Sequence, residues 1–273
     1  MRRALRDPSF VIGLVIVVGV VTAALFAPSI APFDPTSATL RSRLAPPFSD
    51  PNWLGADAIG RDILSRIIFG ARISLTVGVV SVAIAVAIGT IVGLLAGYFG
   101  GLLDSVLMRI ADIQLSFPFI LLAITVIAVV GPGLWKVIMV MAFTQWVQYA
   151  RIVRGQALSL REKEYVQAAH SLGATHGRIM FRHILLNALT PVIVLATLGV
   201  ANNILLEAGL TFLGLGVDPT IPSWGGMLAD GRNYIERAWW VATFPGLAIT
   251  VTVLGFNLLG DWLRDRLDPR VRT

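Results

Sequence analysis

Six apolar runs, each close to twenty residues or longer, leave this chain few ways to fold. They cover residues 10–31, 73–98, 103–130, 134–152, 185–206 and 239–259. A helix of about 20 apolar residues spans the ~30 Å hydrocarbon layer of a bilayer, so each run reads as a membrane span. With 56% hydrophobic and 14% charged residues and a mean hydropathy of +0.77, the chain is too apolar for an ordinary soluble domain. The expected fold class is an all-α membrane protein with six transmembrane helices. The first run follows a basic start, as a signal peptide would, but its 22 residues exceed a signal core of 7–15, so a retained span is expected.

Six spans put both termini on one side, and basic residues choose the side. With the termini inside, the inner segments hold Arg2, Arg3, Arg6, Arg109, Arg151, Arg154, Arg161, Lys163, Arg178, Arg182, Arg264, Arg266, Arg270 and Arg272, 14 of the 22 Arg and Lys. The positive-inside rule therefore places N- and C-termini in the cytoplasm. The net charge of +6 is spent on these flanks rather than on a soluble basic surface, so nucleic acid is not an expected partner. Arg61, Arg66 and Arg72 precede the second span, and Ile63, Leu64, Ile67 and Ile68 offer an apolar face for an interfacial helix there. The chain divides into 1–72, holding the first span, an external loop and this helix, and 73–273, a five-helix core with an external segment 208–237.

Between spans four and five lies a polar island, residues 159–187, as long as a span but carrying nine charged or histidine residues before its end. Such a segment cannot sit in hydrocarbon. Ser159 and Glu162 fit a capping box and Gly173 a terminator, which predicts a helix over 160–172. Tyr165, Ala168, Ala169 and Leu172 follow helical spacing and form an apolar, small-centred stripe able to enter a shallow groove. A second helix starts at Thr175 and runs through Phe181 and Ile184 into span five, so force on the island passes into the membrane. The same stripe also suits a loop packed on its own bundle.

Polar and small residues in the spans carry further expectations. Ala85, Gly89, Gly93 and Gly97 form a small ridge suited to close helix packing, either within the bundle or against a second subunit. Arg109 and Asp112 sit three apart on one helical face and predict a structural ion pair. Pro118 invites a kink. Gln145, Asn202, Asn203 and Glu207 either bond neighbouring helices or line a pore, with Glu207 near water at the outer end. The glycine- and proline-broken segment 208–237 is too apolar for an exposed loop and is expected to dip into the outer mouth.

Catalytic parts are missing from the sequence. No GxxxxGK[ST] loop occurs, so the chain is not its own P-loop ATPase; no HExxH or GxSxG occurs, and His170, His176 and His183 are not spaced as paired metal ligands. With zero Cys, thiolate chemistry and disulfides are excluded.

The run Glu164-Tyr165-Val166-Gln167-Ala168-Ala169, three residues, Gly173, nine residues, then His183-Ile184-Leu185 resembles the EAA loop of ABC-importer permeases. More specifically, it resembles the C-type permease subunit of dipeptide, oligopeptide and nickel importers. The likeness continues in LGADAIGRDILSRIIFGARISL (54–75), LTFLGLGVDPTIPSWGGML (210–228) and FNLLGDWLRDRLDPR (256–270). The resemblance implies a type I ABC-importer permease in a bacterial inner membrane, importing di- or oligopeptides. It implies a second homologous permease subunit, two ATP-binding subunits or domains holding ATP-Mg, and an external solute-binding protein, with no cofactor on this chain. It would place the ATPase contact on Gln167, Ala168, Ala169 and Gly173, flanked by Glu164, Tyr165 and Leu172. Gln167 departs from the family Glu, and Leu186 from a common Pro. Nickel-chelate or glutathione import is the alternative within the same machinery. A stand-alone secondary transporter or channel, with Asp112 or Glu207 as an ion site, is the alternative class.

Overall fold

The computed structural model describes residues 7–267, so Arg2, Arg3, Arg6, Arg270 and Arg272, and the terminal ends of the topology argument, lie outside the described residues. The chain folds as helices in the order α1 (Pro8–Leu25), α2 (Ala27–Ile30), α3 (Ile63–Phe99), α4 (Gly101–Leu115), α5 (Phe119–Val130), α6 (Leu134–Arg161), α7 (Glu164–Ser171), α8 (His176–Arg178), α9 (Leu185–Phe212), α10 (Trp224–Gly231) and α11 (Trp240–Leu267). A six-residue stretch of wide π turns, Ile179–Ile184, joins α8 to α9, making one path from His176 to Phe212.

Four helical stretches are long and apolar enough to cross a membrane: α1, α3, the path from α8 through α9, and α11. The α4–α5 pair is long and apolar enough only when taken together, as a broken span or a re-entrant pair, bent by 85° between Leu115 and Phe119. The kink expected from Pro118 is therefore a full break in the span. The remaining run lies in α6, whose 28 residues would span ~42 Å at 1.5 Å per residue. Lys136, Gln145, Gln148 and Arg151 interrupt its apolar surface, and it falls short of the apolarity of the others.

α3 is the longest helix and the axis of the fold. Asp62 caps its start by accepting from the Ser65 amide at 2.8 Å, and a turn through Gly100 and Gly101, both at positive φ (67° and 57°), ends it. The interfacial helix expected around Arg61–Arg72 does not exist as a separate element. Ile63 and Arg66 are buried in the first two turns of α3, covered by protein rather than by lipid headgroups.

The small ridge on α3 is filled by α6. A Cβ built on Gly89 would lie 2.5 Å from the Trp146 carbonyl oxygen and 2.6 Å from Tyr149 Cβ; on Gly97 it would lie 2.7 Å from Ala157 Cβ. Gly93 abuts the Ala150 carbonyl, and Ala85 is fully buried in the same core. With no hydrophobic drive between helices in lipid, such close backbone approach is what holds two helices together. α1 lies along α11, with Gly13 against the Gly255 carbonyl and Phe10 stacked on Trp262 at 4.3 Å between ring centroids.

The segment expected to dip into a mouth carries α10, which caps one end of the bundle. α10 packs on α3, α9 and α11, with Trp224 buried and its indole N–H donated to the Ile67 carbonyl at 3.0 Å. Trp224 also abuts Gly70, near the start of α3, whereas α7 lies by Tyr98 and Phe99 at its end. The cap and the polar island therefore occupy opposite ends of the bundle.

Candidate functional site

At the island the expected single helix is split. α6 runs two residues past Ser159, which is inside the helix and caps nothing, and Glu162 is its C-cap. The shorter α7 begins at Glu164 with Lys163 as N-cap and ends before Gly173, whose φ of 82° suits glycine. Val166 faces inward, buried among Ile179 and Ile184. Tyr165, Ala168 and Leu172 are exposed, Leu172 by 88%, and Ala169 is half-buried beside them. The stripe points away from its own bundle.

Three contacts hold α7 to the helices behind it. Tyr165 Oη lies 3.4 Å from the His183 carbonyl and from Asn187 Nδ2. Gln167 Nε2 donates to the Glu162 carbonyl at 3.3 Å, a freed acceptor at the end of α6. A carboxylate at position 167 has no proton to give there, so the departure from Glu suits this chain's own break. Beyond Gly173, Thr175 accepts from the Arg178 amide, and Tyr98 Oη meets His176 Nδ1 at 2.7 Å. Leu186 is an exposed residue near the start of α9, and Pro191 lies inside that helix.

The ion pair expected within α4 is not formed. Arg109 is exposed, and Asp112 instead meets Arg151 Nη2 of α6 at 2.6 Å. Asp104 pairs with Arg154, Nη2 to Oδ2 at 2.7 Å. The charges thus join two helices where spacing alone suggested a pair within one.

Three of the four pore candidates are packing groups. Gln145 Nε2 donates to Asn203 Oδ1 at 2.6 Å, and Asn203 Nδ2 donates to Ser81 Oγ at 2.7 Å, tying α6, α9 and α3 together. Glu207 is 0% exposed and accepts from Ser74 Oγ at 3.0 Å and Thr211 Oγ1 at 2.8 Å, so it is not solvated. Asn202 alone is exposed, in a groove of about 520 Å³ at the α4–α5 break that Gln145 also lines.

These features (a lone outward-facing helix, a continuous helical path from His176 into a span, and bent and polar spans) accompany a sequence that matches known proteins. Residues 89–273 match the binding-protein-dependent transport system inner membrane component family, and residues 1–47 match the N-terminal TM domain of oligopeptide transport permease C. The chain belongs to this permease family. It is 47% identical over 272 residues to the dipeptide transport system permease protein DppC of Escherichia coli strain K12, covering 98% of this chain and 91% of that protein. It is 44% identical to DppC of Alkalihalophilus pseudofirmus, covering 96% and 86%, and 44% identical to the di/tripeptide permease of Pseudomonas aeruginosa, covering 95% and 88%. The crystal structure of an amino acid ABC transporter with histidines shares the fold, at a TM-score of 0.56 and 16% identity, over 74% of this chain and 94% of that one. The permease is therefore a multi-pass inner-membrane subunit of an ABC importer, a transport component rather than an enzyme, working with an ATPase and a binding protein.

One cluster in the permease escaped the sequence reading. Asp57 accepts from Arg61 Nε at 2.6 Å and also pairs with Arg66, while both arginines reach Asp230 of α10 at 3.0 and 3.3 Å. Arg66 is 2% exposed and Asp57 1%. The 54–75 motif shows Asp57 four residues before Arg61 and nine before Arg66, but Asp57 and Arg61 lie in the loop ahead of α3 and only Arg66 in its first turns, so no helical spacing joins them. Asp230 could not be assigned because it comes from 164 residues away.

Proposed function

We propose that this permease is one of two homologous halves of an importer for di- or oligopeptides, and that α7 is its contact with the ATPase. Peptides are supported by relatives aligned over nearly the full chain, which are dipeptide and di/tripeptide permeases. On this reading α7 and the termini are cytoplasmic, and the cap around α10 faces the binding protein. Residues 159–187 form the coupling loop, with Glu164, Tyr165, Gln167, Ala168, Ala169, Leu172 and Gly173 at the contact. ATP-Mg is bound and hydrolysed by two partner subunits or domains.

The observation that carries the reading is the outward stripe of Tyr165, Ala168 and Leu172 on a helix linked by residues 172–175 to the helical path that runs from His176 into α9. Closure of an ATPase cleft around that stripe would move a membrane helix directly. The test uses the importer reconstituted with its second permease, ATPases and binding protein. Ala168 is exposed, so Ala168→Trp leaves the chain's own packing intact while blocking a shallow groove. The expected result is a complex that either loses its ATPase subunits or hydrolyses ATP without peptide uptake. Unchanged coupling of uptake to hydrolysis in A168W would sink the assignment.

A further inference from the structure

The groove at the α4–α5 break has a chemistry that packing does not explain. The chain bends by 85° there, through Ser116–Pro118, and irregular backbone at membrane depth persists only against protein or a water-filled path. Gln148 of α6 and Asn202 of α9 are exposed on this groove, and neither side chain makes a hydrogen bond among the described residues. Two bare amides facing lipid would each lose their hydrogen bonds to water without replacement. Gln145 is 5% exposed; its Nε2 is held by Asn203, and its Oε1 accepts no bond among the described residues. Gln114 plays a different part. Its Nε2 donates to the Phe143 and Thr144 carbonyls and its Oε1 accepts from Trp146 Nε1, which pins α4 to α6 and leaves the glutamine no donor for a ligand.

Every lining residue is uncharged. A wall of primary amides without an ionised group offers donors and an acceptor to a neutral partner having both. That partner is a peptide bond. A site of this kind holds the main chain of a passing peptide and ignores its side chains and charged ends, which suits a path that must release what it binds. We infer that Gln145 Oε1, Gln148 and Asn202 form a peptide-backbone contact site in the translocation path, with Gln114 as the positioning residue behind it. This rests on the peptide reading above.

The chain contains no Cys, so single cysteines report cleanly. Gln148→Cys and Asn202→Cys would be labelled with a membrane-impermeant, charged maleimide in the assembled importer, with Leu254→Cys on the outer face of α11 as the lipid-side control. Positions 148 and 202 are expected to react at least about tenfold faster than 254, and transported dipeptide with its loaded binding protein to slow them several-fold. Separately, Gln148→Leu and Asn202→Leu are expected to slow peptide uptake about two- to tenfold each, the factor of one neutral hydrogen bond, while loaded binding protein still stimulates ATP hydrolysis. Labelling no faster than at 254, or labelling that peptide leaves untouched while uptake proceeds, would overturn the site but not the peptide reading. Protection by a nickel chelate in place of peptide, with no peptide uptake, would overturn both.

Discussion

Placing a methyl group on the α3–α6 seam should separate the two helices, and the structure gives the size of the effect. At Gly89 an added Cβ falls 2.5 Å from a backbone oxygen and 2.6 Å from a Cβ, neither of which can rotate away. Ordinary carbon contacts lie near ~3.5–4 Å, so the axes must part by about 1 Å. Gly93 and Gly97 lie one turn and two turns further along, so parting at one glycine opens the contacts at the others. A gap of 0.5–1 Å forfeits roughly a quarter to a half of each pairwise attraction, and overpacking of this kind costs about 1–3 kcal/mol. Gly155, on the exposed face of α6, has nothing within 4 Å. Gly155→Ala should therefore stabilise by about 0.5–1 kcal/mol through the backbone alone. Thermal unfolding of the detergent-purified chain, followed by size-exclusion of the surviving fraction, reads both signs. At about 2–4 °C per kcal/mol, Gly89→Ala and Gly93→Ala should melt several degrees lower and Gly155→Ala slightly higher. Equal or raised midpoints for the two seam variants would refute the packing account, and would return the ridge to a face against another subunit.

Three further outcomes follow from the polar bonds. Asp57→Ala leaves Arg66 buried with only Asp230, so it should destabilise by about 3–5 kcal/mol, while Asp230→Ala, at a carboxylate 41% exposed, should cost about 1 kcal/mol or less; equal yields of folded protein from the two variants would contradict the ranking. Glu207→Gln keeps an acceptor and gains a donor toward Ser74 and Thr211, so uptake and stability should stay within about 1 kcal/mol of the parent, and transport should not depend on a proton gradient; loss of uptake with the fold intact would instead favour a carboxylate relay. Arg154→Gln removes a partly exposed pair with Asp104, costing about 1 kcal/mol, and should speed amide exchange in α4 without affecting α3; uniform acceleration would show that the pair does not act locally.

Helix-length apolar runs, the terminator at Gly173 and the outward stripe were legible because each depends on residues close in sequence. The errors share a cause as well. Arg109 and Asp112 satisfy a helical spacing rule, yet Arg151 approaches from α6 and takes the aspartate, which no local pattern reports. Ser159 and Glu162 match a capping box, but the packed face of α6 continues through Ala157 and carries the helix past them. The sequence marks Gln145 and Asn203 as groups able to bond neighbouring helices, whereas Glu207, expected near water, is buried. Their partners Ser74 and Ser81, seven apart on α3, were overlooked because a serine in an apolar helix can bond its own backbone and so raises no alarm.

The placement of those bonds bears on how motion would travel. α9 is tied to α3 through Asn203–Ser81 and Glu207–Ser74, and to α6 through Gln145 Nε2–Asn203, all by buried hydrogen bonds. α3 and α6 are locked by the glycine seam. A push arriving at α7 and passing through His176 into α9 therefore meets three helices that behave as one body. α4 is held differently: its links to α6 are ion pairs at least partly open to solvent, Asp104–Arg154 and Asp112–Arg151, together with Gln114, and it ends in the break at Pro118. Solvent-screened pairs are the cheapest of these contacts to exchange. The groove with Gln148 and Asn202 lies between the locked body and this more loosely held helix. Its width is thus set by a boundary that is neither seamed by glycine nor sealed by buried hydrogen bonds.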